Sequence, residues 1–197
     1  MAGEPGLIIA DERNKYDAIW QLPEYYAFSP SEQFTELFAE ISGIKKGTKV
    51  IELGCGHGRA GLQLAEKFGA DMTFLDISHL PHDDKLIGCE GGFPFIHTSL
   101  WQNWGGNKVW DIGYCCDVME HIPPEYSMAV VAQIMRRCKA AFFSIAFFHD
   151  GFGAYINKPL HMNVQNFVWW RDRLREFGKL TEARDRMSDG IFYLERF

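Results

Sequence analysis

Apolar residues along the chain fall into short continuous runs and into runs with helical spacing, and the two kinds alternate. Short apolar runs that stop at glycine or at an acid are typical of buried strands, whereas apolar residues three or four positions apart are typical of one helix face. The predicted strands are residues 50–53, 72–75, 95–96, 110–116, 140–148, 179–184 and 191–197. The predicted helices are residues 59–68, 124–137 and 167–177, preceded by a helix that begins at Ser29-Pro30 and carries Phe34, Leu37, Phe38 and Ile41 on one face.

This alternation predicts the fold class. Strands separated by helices form parallel βαβ units, and the turn signal Ser188-Asp189-Gly190 joins the last two strands as an antiparallel pair. We therefore predict an α/β protein, a Rossmann-like three-layer α/β/α sandwich with a mostly parallel seven-stranded sheet and an antiparallel C-terminal hairpin strand. The segments between the second and fourth strands are short and rich in Gly, Pro and Asp, so loops are expected to replace one or two crossover helices there.

The length of 197 residues predicts a single domain over 1–197. Residues 1–44 form a helical N-terminal segment, and residues 45–197 form the core. The N-terminal segment is rich in aromatic residues, which are interpreted equally well as a lid over a ligand or as a helix packed on the domain. These aromatic residues are Tyr16, Trp20, Tyr25 and Tyr26.

Several kinds of protein are excluded by composition. The longest apolar stretch, residues 140–148, is too short to cross a bilayer, and the first residues include an acid where a signal peptide has positive charge, so we expect a cytoplasmic protein without a membrane partner. The net charge of −6 disfavours nucleic acid as a partner. None of the five cysteines forms a Cys-x-x-Cys pair, so we expect free buried thiols and no metal. They are Cys55, Cys89, Cys115, Cys116 and Cys138.

Three glycines follow the first strand directly and precede a helix, at Gly54, Gly56 and Gly58. Glycines at this point let the backbone approach a ligand, and an acid at the end of the next strand, Asp76, can accept hydrogen bonds from the two hydroxyls of a ribose. A dinucleotide is one candidate, because residues 56–61 match G-x-G-x-x-G and Asp76 follows 20 residues later. A nucleoside with a positive sulfonium and an ammonium is the other, since Glu52 near the end of the strand supplies negative charge.

These residues, together with the run Cys116-Asp117-Val118-Met119-Glu120-His121-Ile122-Pro123 after the fourth strand, resemble the small class I S-adenosylmethionine-dependent methyltransferases. The resemblance implies that S-adenosylmethionine is the cofactor and S-adenosylhomocysteine the product. It places the methionine half at the glycine loop, the ribose at Asp76 and the adenine beside Ile77. The family often has an acid after the third strand that contacts adenine, where this chain has Thr98, Ser99 and Leu100. The full implied cofactor set is Glu52, Gly54, Cys55, Gly56, Gly58, Asp76, Ile77, Ser99, Leu100, Cys116 and Asp117.

The predicted activity is methyl transfer to oxygen or nitrogen of a small-molecule acceptor by in-line displacement in a lidded pocket. Positioning of the acceptor supplies much of the rate, and a base is needed only when the acceptor must lose a proton. The candidate bases are His121, His149 and His161, and His57 in the glycine loop is expected to fill a variable position. Two alternatives stay open, a non-catalytic S-adenosylmethionine-binding sensor or partner subunit and an NAD-dependent oxidoreductase.

Overall fold

The computed structural model describes residues 5–27, 29–78 and 92–197, so Cys89 lies outside the described residues. In these ranges seven strands alternate with helices along the chain. The strands are β1 (Lys49–Leu53), β2 (Asp71–Asp76), β3 (Phe95–His97), β4 (Trp110–Cys116), β5 (Cys138–Ala146), β6 (Lys179–Asp185) and β7 (Asp189–Glu195). The helices are α1 (Pro5–Ile19), α2 (Pro23–Ala27), α3 (Thr35–Ser42), α4 (Arg59–Phe68), α5 (Pro124–Arg137) and α6 (Phe167–Leu174), with 3-10 turns at Pro30–Phe34, Met119–His121 and Phe152–Ile156.

The strands form one sheet in the order β3-β2-β1-β4-β5-β7-β6. The first five strands along the chain pair in parallel, while β7 is antiparallel to both β5 and β6. This arrangement confirms the predicted mostly parallel sheet with an antiparallel C-terminal hairpin strand. Strands β2 and β3 are added on one side of β1, and β4 and β5 on the other, so the strand order reverses between β1 and β4. In such sheets the carboxyl ends of the strands at this switch point open onto a crevice.

Apolar side chains bury both faces of the sheet and make the three layers. On one face Trp170 of α6 and Ile134 of α5 are fully buried, and on the other Phe38 of α3 and Leu64 of α4 are fully buried. Strands covered on both faces need apolar residues at nearly every position, which explains the continuous apolar run of β5.

The predicted element boundaries hold where the local signals are strong. Helices α4 and α5 have the predicted bounds. Strand β5 covers Cys138–Ala146, so it is shifted by two residues toward the N-terminus from the predicted strand 140–148. The predicted cap Ser29 makes no side-chain capping hydrogen bond, and a 3-10 turn precedes α3. The hairpin turn centres on Met187, not on residues 188–190, because β7 already begins at Asp189. Residues 98–109 between β3 and β4 form loops, as predicted.

Among the described residues, no helix is both long enough and apolar enough to cross a membrane.

Helix α4 packs tightly on the sheet at Gly61, and we expect Gly61→Ala to lower the free energy of unfolding by about 1–3 kcal/mol. A Cβ atom there would lie 2.4 Å from Glu52 Oε2 and 2.4 Å from Phe74 Cε1, and both side chains are buried. For a chain of this length the melting temperature should fall by roughly 2–10 °C. Gly151→Ala is the matched control, because its φ is −101° and its Cβ would meet nothing within 4 Å. Equal melting temperatures of the two variants would contradict the expected clash.

Candidate functional site

The loop from β1 to α4 requires its glycines. Gly54, Gly56 and Gly58 have φ values of +70°, +53° and +72°, in the left-handed region that favours glycine. A Cβ on Gly54 would also lie 2.6 Å from Val118, and one on Gly56 would lie 2.8 Å from Trp20. The loop backbone is therefore in close contact with its surroundings on two sides, and Gly58 begins α4 as its N-cap residue.

Asp76, at the end of β2, organises this loop. Its side chain is buried, Oδ2 accepts a hydrogen bond from the Gly56 N–H at 2.8 Å, and Oδ1 accepts one from the Ser78 N–H at 2.8 Å. Asp76 also lines the first cavity described below. Asp76 therefore holds the glycine loop in place at the edge of the crevice.

Glu52 lies behind the loop. Its side chain is 3% exposed, and Oε2 accepts a hydrogen bond from the Gly61 N–H at 2.9 Å. Burial raises the pKa of Glu52 to about 8, although the Gly61 N–H opposes the shift. Glu52 is not among the residues that line the three cavities described below. In the structure its carboxyl group ties β1 to the first turn of α4.

A first cavity lies between α1 and the carboxyl ends of β2 and β4. Three of its lining residues are acidic, Glu12, Asp76 and Asp117, and among the described residues that line it none is lysine or arginine. Its apolar wall includes Leu75, Ile77, Leu100, Trp101, Val118 and Ile122. A cavity with this lining favours a ligand that has an apolar planar group and positive charge.

A third cavity continues from the first along the glycine loop. Gly54 and Asp117 line both, and Cys55, Gly56 and Cys116 line the third cavity only. Together the first and third cavities form one crevice at the switch point, running from the end of β2 past β1 to β4.

The N-terminal helices close the crevice from above. Tyr16 of α1, Trp20 of the turn after α1 and Tyr25 of α2 line the first cavity. The helix is anchored at both sides: Ser78 Oγ donates to Asp17 at 2.5 Å, and the buried Lys15 ammonium lies 3.4 Å from a carbonyl oxygen in the β5–α6 connection. Both interpretations of the aromatic segment therefore apply, because these helices pack on the domain and also form the roof of the crevice.

His57 has a structural role that its sequence position did not indicate. Its side chain is buried, its ring lies edge-on to Trp20 and to Tyr26, and Nε2 is 3.0 Å from the carbonyl oxygen of Tyr26. His57 was expected only to fill a variable position, and these contacts give it a packing role as well. It fastens the N-terminal segment to the glycine loop.

A second cavity of about 300 Å³ opens beside the crevice. Tyr25, Asp117 and His121 line both the first and the second cavity and form the wall between them. The other lining residues of the second cavity come from widely separated parts of the chain, and they include Phe34, Ser144, Phe148, Phe152, His161 and Arg186.

The structure divides the predicted site residues into two groups. Most of the predicted cofactor set lines the crevice, but Glu52, Gly58 and Ser99 do not, and the Ser99 hydroxyl donates to Gln102 instead. Of the candidate bases, His121 and His161 line the second cavity, whereas His149 is exposed and lines only an outer depression.

The turn after β4 is held in a strained conformation. Asp117 has φ of +58°, a conformation that is rare for residues other than glycine and that is concentrated at functional sites. Glu120 is fully buried and its Oε1 accepts a hydrogen bond from the Ala146 N–H at 2.7 Å. Burial and the nearby Asp117 carboxylate raise the pKa of Glu120. Burial and the neighbouring His161 lower the pKa of His121 to about 3, so its ring is neutral at ordinary pH.

His161 reaches this turn from the connection between β5 and α6. Its ring lies 4.6 Å from that of His121, and its Nδ1 is 2.5 Å from the carbonyl oxygen of Phe148. The connection is ordered by Asp150, whose carboxylate accepts hydrogen bonds from three backbone N–H groups, including that of His161. Burial opposes the shift, but these bonds lower the pKa of Asp150.

Sequence reasoning did not identify several lining residues. Trp101, Phe152 and Arg186 come from connecting segments without a motif, and Phe148 was placed at the end of the predicted strand 140–148, so no local signal assigned them to a cavity. Val118 and Ile122, by contrast, stand inside the quoted run after the fourth strand, and Val118 packs against Gly54.

Similar sequences among known proteins include two kinds of methyltransferase. The chain is 28% identical over 147 residues to a ubiquinone biosynthesis O-methyltransferase of Citrobacter koseri. The aligned region covers 68% of this chain and 60% of that protein. It is 26% identical over 106 residues to phosphoethanolamine N-methyltransferase 1 of Zea mays. This aligned region covers 52% of this chain and 21% of that protein. The chain thus spans less than two thirds of the length of either relative, and no family model matches it.

Solved structures share the fold. The 1,6-didemethyltoxoflavin-N1-methyltransferase of Burkholderia thailandensis, crystallised with 1,6-didemethyltoxoflavin and S-adenosylhomocysteine, superimposes with a TM-score of 0.75. The alignment covers 100% of this chain and 92% of that one at 13% identity, and such a likeness shows the fold alone.

Proposed function

We propose that the chain is a class I S-adenosylmethionine-dependent methyltransferase that transfers the methyl group of S-adenosylmethionine to a small-molecule acceptor. The observation that carries the proposal is the wall that Tyr25, Asp117 and His121 form between the crevice and the second cavity. A cofactor in the crevice and an acceptor in the second cavity would meet at this wall, as in-line transfer requires.

The residues of the crevice fit the cofactor. Asp76 lines the crevice at the end of β2, where its carboxylate would meet the ribose hydroxyls, and its hydrogen bond to the Gly56 N–H holds the glycine loop beside it. Ile77, Leu100 and Trp101 offer apolar surface to the adenine. Among the described residues, the buried Trp101 Nε1 has no hydrogen-bond partner, and this N–H stands near the position where the family often has an acid. We assign the adenine to this end of the crevice.

When bound, the cofactor supplies an electrophilic methyl group on a positively charged sulfur. The contribution of the chain is to bind, to orient and to exclude water. Asp117 and Asp76 give the crevice negative charge, which favours a sulfonium and an ammonium. The roof of Tyr16, Trp20 and Tyr25 shields the crevice from solvent.

The same features argue against a dinucleotide. A diphosphate needs the N–H groups at the start of α4 and is helped by basic side chains. Trp20 and His57 cover the loop, however, and in the part of the chain that the structure describes no lysine or arginine lines the crevice. Gly61, the third glycine of the dinucleotide-like pattern, serves here to pack α4 against Phe74 of β2.

Calorimetry with three ligands tests the binding step. We expect S-adenosylmethionine and S-adenosylhomocysteine to bind and NAD not to bind, because of the charge and the covering of the crevice. Binding of NAD without binding of the sulfonium compound would overturn the proposal in favour of an oxidoreductase.

A labelling experiment tests transfer. The protein is incubated with methyl-labelled S-adenosylmethionine and a fractionated small-molecule cell extract, and we expect one fraction to take up label. The control is the Asp76→Ala variant, which should transfer little label at the same cofactor concentration. Tight cofactor binding without labelling of any fraction would favour a sensor or a partner subunit over an enzyme.

A further inference from the structure

We propose that Asp117, Glu120, His121 and His161 form a binding site for a divalent transition-metal ion in the wall between the crevice and the second cavity. Each residue offers one ligand atom, a carboxylate oxygen or a ring nitrogen, and these four atoms all lie within 4.8 Å of one another. Glu120 and His121 are separated in sequence from His161 by about forty residues, so only the tertiary fold assembles the group.

Two of these side chains have polar atoms that lack a partner. Among the described residues, Glu120 Oε2 and His121 Nδ1 are buried and make no hydrogen bond. The Glu120 side chain is 0% exposed and that of His121 8%. Oε1 of Glu120 is bonded to the Ala146 N–H, and one carboxylate oxygen of Glu120 lies within 4.8 Å of one of Asp117. Two carboxylate oxygens face each other there, and such a pair needs a proton or a cation between them.

His161 is oriented as a ligating histidine. Its Nδ1 lies 2.5 Å from the carbonyl oxygen of Phe148. A carbonyl accepts only, so Nδ1 is the donor of this bond and Nε2 is the ring nitrogen available to a metal ion. Metal-bound histidines usually have this second hydrogen bond, which fixes the tautomer and the direction of the ring. The backbone N–H of His161 is held in addition by Asp150, at 3.1 Å.

The ligand types indicate which ion fits. Two imidazoles with two carboxylates favour Zn²⁺ and the neighbouring transition ions over Mg²⁺ and Ca²⁺, which prefer oxygen ligands alone. The absence of Cys-x-x-Cys pairs, on which the expectation of no metal was based, does not bear on a site made of histidines and carboxylates.

The position of the site also indicates the acceptor class, and this part rests on the proposed function. Asp117, His121 and His161 all line the second cavity, so an ion held by them would face the acceptor. A metal ion lowers the pKa of a coordinated hydroxyl and orients it. We therefore infer an acceptor that is methylated on a hydroxyl or phenol oxygen.

Co²⁺ is the probe for the test, because its visible absorption reports bound nitrogen and oxygen ligands. The full-length protein is freed of metal with a chelator and titrated with Co²⁺, followed by competition with Zn²⁺. We expect the wild type to bind both ions and His161→Ala to bind them at least about 10-fold more weakly. His149→Ala is the matched control, since it removes an exposed histidine near the site and should leave the titration unchanged.

Each other result is decisive. Equal affinity of the wild type and His161→Ala, or a loss of binding in His149→Ala, would overturn the metal site and leave a shared proton between Asp117 and Glu120. If His161→Ala does not fold, as judged by circular dichroism, Glu120→Gln decides in its place, because it keeps an acceptor for Ala146. Calorimetry with S-adenosylhomocysteine separates the two proposals. If the protein binds S-adenosylhomocysteine but no metal ion, only the metal site is contradicted. If it binds the metal ion but not S-adenosylhomocysteine, only the proposed function is contradicted.

Discussion

Replacing Asp76 with alanine should weaken the binding of S-adenosylhomocysteine by on the order of 100-fold, or about 3 kcal/mol. The carboxylate is expected to accept hydrogen bonds from the ribose hydroxyls, and charge-assisted bonds of this kind are among the stronger ones in proteins. The substitution also leaves the N–H groups of Gly56 and Ser78 without their acceptor, so the glycine loop loses its anchor. The dissociation constant from calorimetry is the measurement.

The control for this variant is Asp71→Ala. Asp71 lies at the start of the same strand and is exposed, so its removal changes the net charge equally without touching the crevice. Its dissociation constant should match that of the wild type. If the two variants bound S-adenosylhomocysteine equally well, the ribose would have to be held elsewhere.

The second large effect concerns pH. Between the ordinary carboxyl pKa of 4.5 and the raised value of about 8, the folded chain keeps a proton on Glu52 that the unfolded chain releases. The unfolded state then binds fewer protons, so the free energy of unfolding falls as pH rises, by about 1.4 kcal/mol per pH unit from this residue. Glu52→Gln cannot titrate and can still accept the Gly61 hydrogen bond. We expect the variant to gain stability relative to the wild type across this window.

Urea unfolding of both proteins at about pH 5, 6.5 and 8 measures the effect, and the difference between them should widen with pH. Glu40→Gln serves as the control, because Glu40 is exposed on α3 and its substitution should follow the wild-type curve. Parallel curves for Glu52→Gln and the wild type would mean that Glu52 is ionised in the folded chain. The charge it would then carry behind the loop would make it a direct electrostatic partner of a cationic ligand.

The elements that the sequence predicted well are those with a strong local signal. Helix α4 lies between glycines and has regular apolar spacing, and α5 starts at a proline, so both have the predicted bounds. The N-terminal part was harder to predict, because Ser29-Pro30 resembles a helix start but produces a 3-10 turn before α3. A local signal specifies that the chain turns there, while the packing of Phe34 and Phe38 decides which kind of turn is formed.

The crevice was predictable for a similar reason. Strand ends in a parallel sheet share one edge, so Gly54, Asp76 and Asp117 could be brought together from topology alone. The distances between these residues could not be predicted from the topology. Whether a residue beside the loop faces the ligand or the core depends on side-chain packing, as Glu52 illustrates by turning toward Gly61.

The alternation of apolar runs, the three glycines and the acids at strand ends determined the fold class and the location of the ligand crevice, because periodicity and backbone conformation are properties of neighbouring residues. Only the tertiary structure decided that α1 and α2 roof the crevice, that His149 faces outward, and that His161 meets Glu120 and His121. Those contacts join residues that are far apart in the chain. The position of each contact depends on the path of a loop across the sheet edge, as in the connection that Asp150 holds next to His161.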